Sequence, residues 1–277
     1  MARKINDKLI CRLLDKNDLY PLLDYVKSNP EKLRLEVRQK GHCNIYYKKC
    51  KILDLGLKSN HIDKKYFKDE NEHIKIKDYA LKDPKKYFEY TMSTVDSWLE
   101  THKKNEFETQ QKIAFHNQDK NDKYLILDME YNFNQDEIKR EKRIKRAGFD
   151  LLGIERKTGN IKLFEVKKGL KALKGKAGIG THILDFERCL FGLHKTVFRK
   201  NLLNDVSNII LDKIKLELLD ELQVATNLSN IELIFIYEPE GNDISSYNET
   251  FDIEYASSNS SIKYNTIFVS KNNYKLK

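Results

Sequence analysis

The sequence is poor in residues that mark several common protein classes. It has four cysteines, four prolines and one tryptophan in 277 residues, and no two cysteines form a Cys-x-x-Cys pair. Neither a zinc ribbon nor a disulfide framework is therefore indicated, and we expect reduced thiols. No segment approaches the roughly 20 consecutive apolar residues of a membrane-spanning helix, and the polar start MARKINDK leads into no apolar signal segment. These absences lead us to expect a globular cytoplasmic protein with no membrane partner.

Positive charge, by contrast, is abundant and concentrated in one part of the chain. The protein carries 51 Lys and Arg against 42 Asp and Glu, a net charge of +9. Residues 139–176 alone hold 14 Lys and Arg against 4 Asp and Glu, so the rest of the chain is nearly neutral. Such a basic segment favours a polyanionic partner.

The first part of the sequence predicts a small α+β module. Apolar residues recur at three- and four-residue intervals over 7–27, with an interruption near Pro21, which predicts two short helices. The alternating pattern over 33–57 predicts an antiparallel sheet. Residues 58–83 have few apolar anchors, and we interpret them as a surface insert or linker. We therefore expect a module of unknown role, residues 1–84, and a larger domain, residues 85–277.

The second part predicts an α/β domain in which helices flank a mixed sheet. Helical spacing over 85–117 is followed by the period-two pattern of KYLILDMEYNF, which is typical of a strand. FDLLGIE and IKLFEVK flank KTGN, whose Gly and Asn suit a tight turn, so we expect a β-hairpin over 149–167. Helical spacing then resumes with a break near Asn204, and the runs IELIFIYE and NTIFVS predict two further strands.

The open end of this hairpin gathers acidic and basic side chains. Glu165 and Lys167 are two positions apart and project to the same face, about 7 Å apart. With the turn centred near Thr158 and Gly159, Asp150 is expected about opposite Lys167. Two neighbouring carboxylates repel each other unless a cation lies between them, and oxygen ligands suit Mg²⁺ or Mn²⁺. Such an ion activates water and stabilises charge on a phosphate oxygen, which predicts phosphodiester hydrolysis.

These residues resemble the PD-(D/E)XK nuclease superfamily, which has the restriction-endonuclease-like fold. Asp150 is followed after fourteen residues by Glu165-Val166-Lys167 on a hairpin with a helix before and after it. The resemblance covers residues 106–240 and implies a Mg²⁺-dependent nuclease acting on DNA, in bacterial DNA processing, restriction or defence. It implies Asp150 and Glu165 as metal ligands and Lys167 as the residue that positions or activates water. Restriction-type enzymes often act as dimers, so a homodimer is compatible with the resemblance, although no interface is indicated.

One departure and several additional candidates accompany the resemblance. Phe149 stands where the family has a proline. Many such nucleases add an acid from the preceding helix, for which Glu106 and Glu108 are candidates, and Glu130 on the neighbouring strand, facing with Asp128, is another. Basic residues around the hairpin are expected to contact phosphates. They are Lys142, Arg143, Arg146, Lys168, Lys171, Lys174 and Lys176.

Two alternatives concern the hairpin itself. Asp150, Glu165 and Lys167 are also compatible with a cross-strand ion pair that has no catalytic role. Against this, IKLFEV is apolar on both faces, as in a central strand, where charged groups are poorly solvated. A non-catalytic nucleic-acid-binding or regulatory protein of the same fold is the second alternative, and RNA as a substrate stays open.

The segment after the hairpin does not match a nucleotide-binding loop. Five residues separate Gly169 from Gly175-Lys176, where the Walker pattern has four, and Ala177 replaces the Ser or Thr that binds Mg²⁺. We expect this Lys-rich connector to lie along a nucleic-acid backbone instead. His182 and His194 lie in an apolar-rich stretch, and we interpret them as packing or surface residues.

Overall fold

The chain forms two compact units. The computed structural model describes residues 2–48, 50–102, 105–133, 148–220, 230–241 and 244–277. The first unit comprises residues 1–104 and 207–222, and the second comprises residues 105–206 and 223–277. The first unit contains α1 (Asp7–Leu14), α2 (Tyr20–Lys27), β1 (Leu33–Val37), β2 (Cys43–Tyr47), β3 (Cys50–Leu55), β4 (Asn60–His61), α3 (Glu70–Lys82) and α4 (Pro84–Thr101).

The second unit begins with α5 (Asn105–His116), and one long helix crosses the division between the units. Its other elements are β5 (Tyr124–Asn132), β6 (Gly148–Glu155), β7 (Ile161–Lys168), α6 (Ile179–Leu190), β8 (Ile231–Glu238), α8 (Ile244–Ser257) and β9 (Asn265–Phe268). Helix α7 (Lys195–Lys215) starts in the second unit and ends in the first. No helix within the described ranges has the length and apolar character required to cross a membrane.

The first unit confirms the predicted pair of helices and the small antiparallel sheet. Its strands are ordered β1-β2-β3-β4, and each neighbouring pair is antiparallel. Pro21 lies in the first turn of α2, where its missing N–H has no intrahelical acceptor and its ring does not disturb the helix. The interruption in the hydrophobic pattern therefore marks the start of a helix.

The interpretation of residues 58–83 as an insert or linker was wrong, because this segment contains α3. The Asp69 carboxylate accepts a hydrogen bond from the Glu72 N–H at 2.9 Å and caps the helix. His73, Ile76 and Ala80 are buried at helical spacing. A helix needs only one apolar stripe, so a segment with few apolar residues still packs against the core.

The first unit also includes α4, which the sequence analysis assigned to the larger domain. Tyr87 and Phe88 are fully buried; the Tyr87 hydroxyl donates to the Ile52 carbonyl, and the Phe88 ring stacks on Tyr25 at 5.0 Å. Asp83 ends α3 and caps α4 by accepting from the Lys86 N–H at 3.1 Å. The polar and proline-containing junction near residue 84 is therefore a helix-to-helix turn inside one unit.

The second unit is built on a mixed five-stranded sheet, which confirms the α/β class. The strand order is β5-β6-β7-β8-β9; β5, β6 and β7 are antiparallel neighbours, and β7, β8 and β9 are parallel. The central strand β7 is buried from Ile161 to Lys167. Burial on both faces is the expected environment for its nearly continuous apolar run.

The predicted helical region after the connector is interrupted earlier than expected. The break lies between α6 and α7, whereas Asn204, the predicted position, is inside α7. The N–H groups of Phe191 and Gly192 both donate to the Glu187 carbonyl and close α6. A Cβ atom at Gly192 would lie 2.4 Å from the Arg188 carbonyl oxygen, so glycine permits this close turn. Helix α8 was not predicted.

Candidate active site

The β6–β7 hairpin is confirmed, but its register differs from the prediction. Leu151 pairs with Phe164 and Ile154 pairs with Ile161. Continuing this ladder by one position places Asp150 opposite Glu165, so the predicted position of Asp150 opposite Lys167 was wrong. The reason is the turn, where Gly159 has a positive φ of 70° and its N–H donates to the Glu155 carbonyl at 2.7 Å. This closure centres the turn one residue earlier.

At the open end of the hairpin, the side chain of Asp150 replaces a backbone carbonyl as the hydrogen-bond acceptor for β7. The strand pairs end at Leu151, and the next available donor on β7, the Val166 N–H, binds Asp150 Oδ2 at 2.7 Å. Asp150 is partly exposed, whereas Val166 is fully buried. The carboxylate of Asp150 is thereby held beside the backbone that carries Glu165 and Lys167.

Glu165 lies in a buried network with two basic side chains. Lys167 Nζ and His182 Nε2 each lie 2.9 Å from Glu165 Oε1. Glu165 and Lys167 are each only 3% exposed. Burial acts to raise the pKa of Glu165, but the hydrogen bond from His182 and the charge of Lys167 outweigh it and lower the pKa. Glu165 is therefore held as a carboxylate.

His182 is not the packing or surface residue that the sequence predicts, because it contacts the buried charged network. It lies in the first turn of α6, its side chain is 17% exposed, and its Nε2 lies 3.4 Å from Lys167 Nζ and 3.2 Å from the Ala177 carbonyl oxygen. The connector between β7 and α6 brings the start of α6, and with it His182, back beside Glu165 on β7. A histidine at the start of the helix that follows the Glu-x-Lys strand was the available sequence signal.

One oxygen of Glu165 has no hydrogen-bond partner among the described residues and is available to bind a cation. Glu165 Oε2 is buried and accepts no hydrogen bond from the described residues. Buried polar atoms nearly always have a partner, so an orphan oxygen beside Asp150 fits a bound cation. No three His, Cys, Asp or Glu side chains in the described ranges gather closely enough to hold a metal. Mg²⁺, however, is usually bound by one or two carboxylates, with water and substrate phosphates completing the shell.

The additional acidic candidates differ in position. Glu130 lies between Met129 and Tyr131, which pair with Leu151 and Phe149, so it is next to Asp150 along the two strands. Its φ of 55° breaks the strand alternation, and its side chain is exposed while Asp128 is fully buried. Glu130 and Asp128 therefore do not share an environment.

The candidates on the preceding helix lie on α5. Glu108 is half-buried, and its Oε1 is 2.8 Å from Lys112 Nζ one turn along the helix. This is an ordinary i,i+4 ion pair along one helix. The side chain of Glu106 lies outside the described part of the chain.

The basic residues around the hairpin fall into three groups. Lys171, Lys174 and Lys176 are exposed on the connector, as a phosphate-binding role requires. Lys168 is different, because its ammonium lies 3.1 Å from Glu238 Oε1 and Glu238 is only 1% exposed. Its charge is committed to a buried partner. Lys142, Arg143 and Arg146 lie outside the described residues.

Helix α7 supplies basic side chains that the sequence analysis did not single out. An open depression on the surface of the second unit is lined by one face of the first part of this helix. The lining residues are Lys195, Thr196, Arg199, Lys200, Leu203 and Asn204. The hydrophobic spacing predicts the helix but does not indicate the positive charge on its polar face.

No protein-family model, curated protein or solved structure matches this chain. What can be inferred about its function therefore comes from the residues of the second unit and their geometry.

Proposed function

We propose that this protein is a metal-dependent nuclease that hydrolyses phosphodiester bonds in DNA, with a restriction-endonuclease-like second unit. The observation that carries the proposal is the end of the hairpin. There, Asp150 binds the Val166 N–H, and the neighbouring Glu165 presents a buried oxygen that accepts no hydrogen bond from the described residues. A mixed sheet whose hairpin lies between α5 and α6 in the chain supports the resemblance to the PD-(D/E)XK superfamily.

Asp150 and Glu165 are the residues that would hold a divalent cation. Mg²⁺ or Mn²⁺ bound there supplies an activated water and stabilises charge on a phosphate oxygen. The Lys167 ammonium lies 2.9 Å from Glu165 Oε1, beside the carboxylate that would bind the ion. From this position Lys167 would orient the water or stabilise the phosphate oxygens as negative charge develops.

Exposed basic side chains on two parts of the second unit suit a polyanion. Lys171, Lys174 and Lys176 are exposed on the connector that follows β7, and Lys195, Arg199 and Lys200 line the depression on α7. Each phosphate neutralised by such a side chain releases counterions and adds affinity. This charge supports a nucleic acid as the substrate class, with DNA proposed from the family resemblance.

The test is a cleavage assay on plasmid and linear DNA with Mg²⁺ or with EDTA. We expect cleavage in Mg²⁺, none in EDTA, and a loss of about a hundredfold or more in Glu165→Gln and in Lys167→Ala. Lys157→Ala, on the exposed turn of the same hairpin, is the matched control and should cleave like the wild type. Cleavage that persists in EDTA, or in the Lys167 variant, contradicts the proposal.

A non-catalytic nucleic-acid-binding protein is the second candidate. The pairing of Glu165 with both Lys167 and His182 favours it, because buried carboxylates in structural networks are satisfied in the same way. Such a protein would bind DNA or RNA with a strong salt dependence but would cleave neither with any divalent metal. Parallel binding and cleavage assays on both nucleic acids separate the two candidates.

A further inference from the structure

We propose that His182 is a positioning residue for Glu165, and that it holds Glu165 Oε1 so that Oε2 is presented to the bound cation. The inference rests on the proposed metal-dependent function. It adds a residue from α6 to a site that otherwise comes from the hairpin, and it gives that residue a role without direct contact with the cation.

The inference rests on the different contacts of the two carboxylate oxygens of Glu165. Oε1 lies 2.9 Å from both Lys167 Nζ and His182 Nε2, and Oε2 accepts no hydrogen bond from any described residue although it is buried. Two donors on one oxygen fix the rotation of the carboxylate. Lys167 alone would leave a flexible ammonium as the sole tether, and this would permit the two oxygens to exchange.

The imidazole also contacts the connector through Nε2, while its buried Nδ1 has no hydrogen-bond partner among the described residues. His182 Nε2 lies 3.2 Å from the Ala177 carbonyl oxygen. The backbone N–H of His182 donates to the Gly178 carbonyl at 3.3 Å. Gly178 packs closely against the connector, since a Cβ atom there would lie 2.5 Å from the Leu173 carbonyl oxygen. The imidazole thus joins the Lys-rich connector to the carboxylate.

A histidine in this role acts through its donor atom and not through its bulk. Groups that orient metal-binding side chains contribute about 10- to 100-fold in metal affinity. His182→Leu keeps a side chain of similar size but removes the donor. His182→Gln places an amide N–H near the position of Nε2 and retains it. The comparison between these two variants isolates the hydrogen bond to Oε1.

The experiment measures Mn²⁺ binding to the full-length protein by calorimetry and by electron paramagnetic resonance, without DNA. We expect the affinity of His182→Leu to fall about 10- to 100-fold and that of His182→Gln to stay close to wild type. His116→Gln, an exposed histidine at the end of α5, is the matched control and should be unchanged. In cleavage assays, the loss in His182→Leu should appear as a higher Mg²⁺ concentration for half-maximal rate.

The possible results distinguish a failure of the proposed function from a failure of the inference alone. Wild-type protein that binds no Mn²⁺ overturns the proposed function and the inference with it. Wild-type binding that is unchanged or tighter in His182→Leu overturns the inference alone, as does an equal loss in the Leu and Gln variants. Circular dichroism checks that each variant is folded. If the Leu variant is not folded, His182→Ala replaces it in the same comparison, and retention of affinity by the Gln variant alone supports the role.

Discussion

Glu36 and Lys213 lie 177 residues apart in the chain, and Lys213 Nζ donates to Glu36 Oε2 at 2.8 Å inside the first unit. Arg34 binds the other carboxylate oxygen from the same strand. Glu36 is fully buried, and burial acts to raise its pKa, but the charges of Arg34, Lys213 and Arg38 lower the pKa to about 2. This buried ion pair joins β1 to the last part of α7.

The lowered pKa of Glu36 predicts acid sensitivity of the first unit. The folded-state pKa of Glu36, about 2, lies below the ordinary value of 4.5. The contribution of the Glu36 carboxylate to the free energy of unfolding is therefore fully present above about pH 4.5 and is lost as the pH falls towards 2. The shift corresponds to roughly 3 kcal/mol of unfolding free energy. Urea unfolding between pH 2 and pH 6 measures this dependence. Glu36→Gln should show a flatter profile, and an identical acid profile in the variant would refute the assignment.

Asp150 has a structural role that can be separated from its proposed catalytic role. Asp150→Ala leaves the buried Val166 N–H without its acceptor, so we expect a loss of about 1–3 kcal/mol in unfolding free energy. Asp150→Asn keeps an acceptor oxygen and should lose much less stability. Both variants should lose Mg²⁺-dependent cleavage. Chemical denaturation of the two variants tests the first expectation, and an alanine variant as stable as wild type would count against the hydrogen bond.

The lysines near the hairpin should divide into structural and phosphate-binding residues. Lys171→Ala should lower the slope of log affinity against log salt by about 0.9, because one fewer phosphate is neutralised. Lys168→Met should leave that slope unchanged and instead lower stability by about 1–3 kcal/mol, because Glu238 loses a buried partner. Fluorescence anisotropy on labelled DNA over a range of NaCl concentrations gives the slope. A changed slope in the Lys168 variant would argue that this side chain reaches the nucleic acid.

The four thiols should react at different rates. Cys43, Cys50 and Cys189 are buried, whereas Cys11 is exposed. Burial also raises the pKa of Cys43 and of Cys189 to about 12, which suppresses the reactive thiolate. We expect rapid labelling of Cys11 alone in the native protein and of all four after denaturation. Rapid native labelling that survives Cys11→Ser would contradict the burial of the other three.

Local patterns predicted most of the elements, whereas the conformation of the turn decided the register of the hairpin. The hairpin follows from two apolar runs around Lys-Thr-Gly-Asn, and the first two helices follow from their spacing. The register depended on which residue of the turn adopts a positive φ, and here that residue is Gly159. Because one step of register moves every facing pair, a small error in the turn displaced Asp150 by two positions relative to its partner.

The candidate site was predictable only as far as it is local. Asp150, Glu165 and Lys167 lie on one hairpin, so spacing brought them together. His182 entered the site through a connector whose path depends on close backbone packing at Gly178, which no periodicity encodes. The role of Lys168 was hidden for the same reason, since its partner Glu238 lies on another strand.

The first unit is formed by two separate segments of the chain, and this constrains the order in which the polypeptide can fold during synthesis. Residues 207–222 belong to that unit, and they include Asp212, which accepts from the Ile5 N–H at 2.7 Å, as well as Lys213. During synthesis the amino-terminal segment leaves the ribosome first but lacks these partners until residue 207 and beyond have emerged. A nascent chain stalled just after residue 104 should therefore remain open to protease, which is the reverse of the usual order in which leading modules mature first.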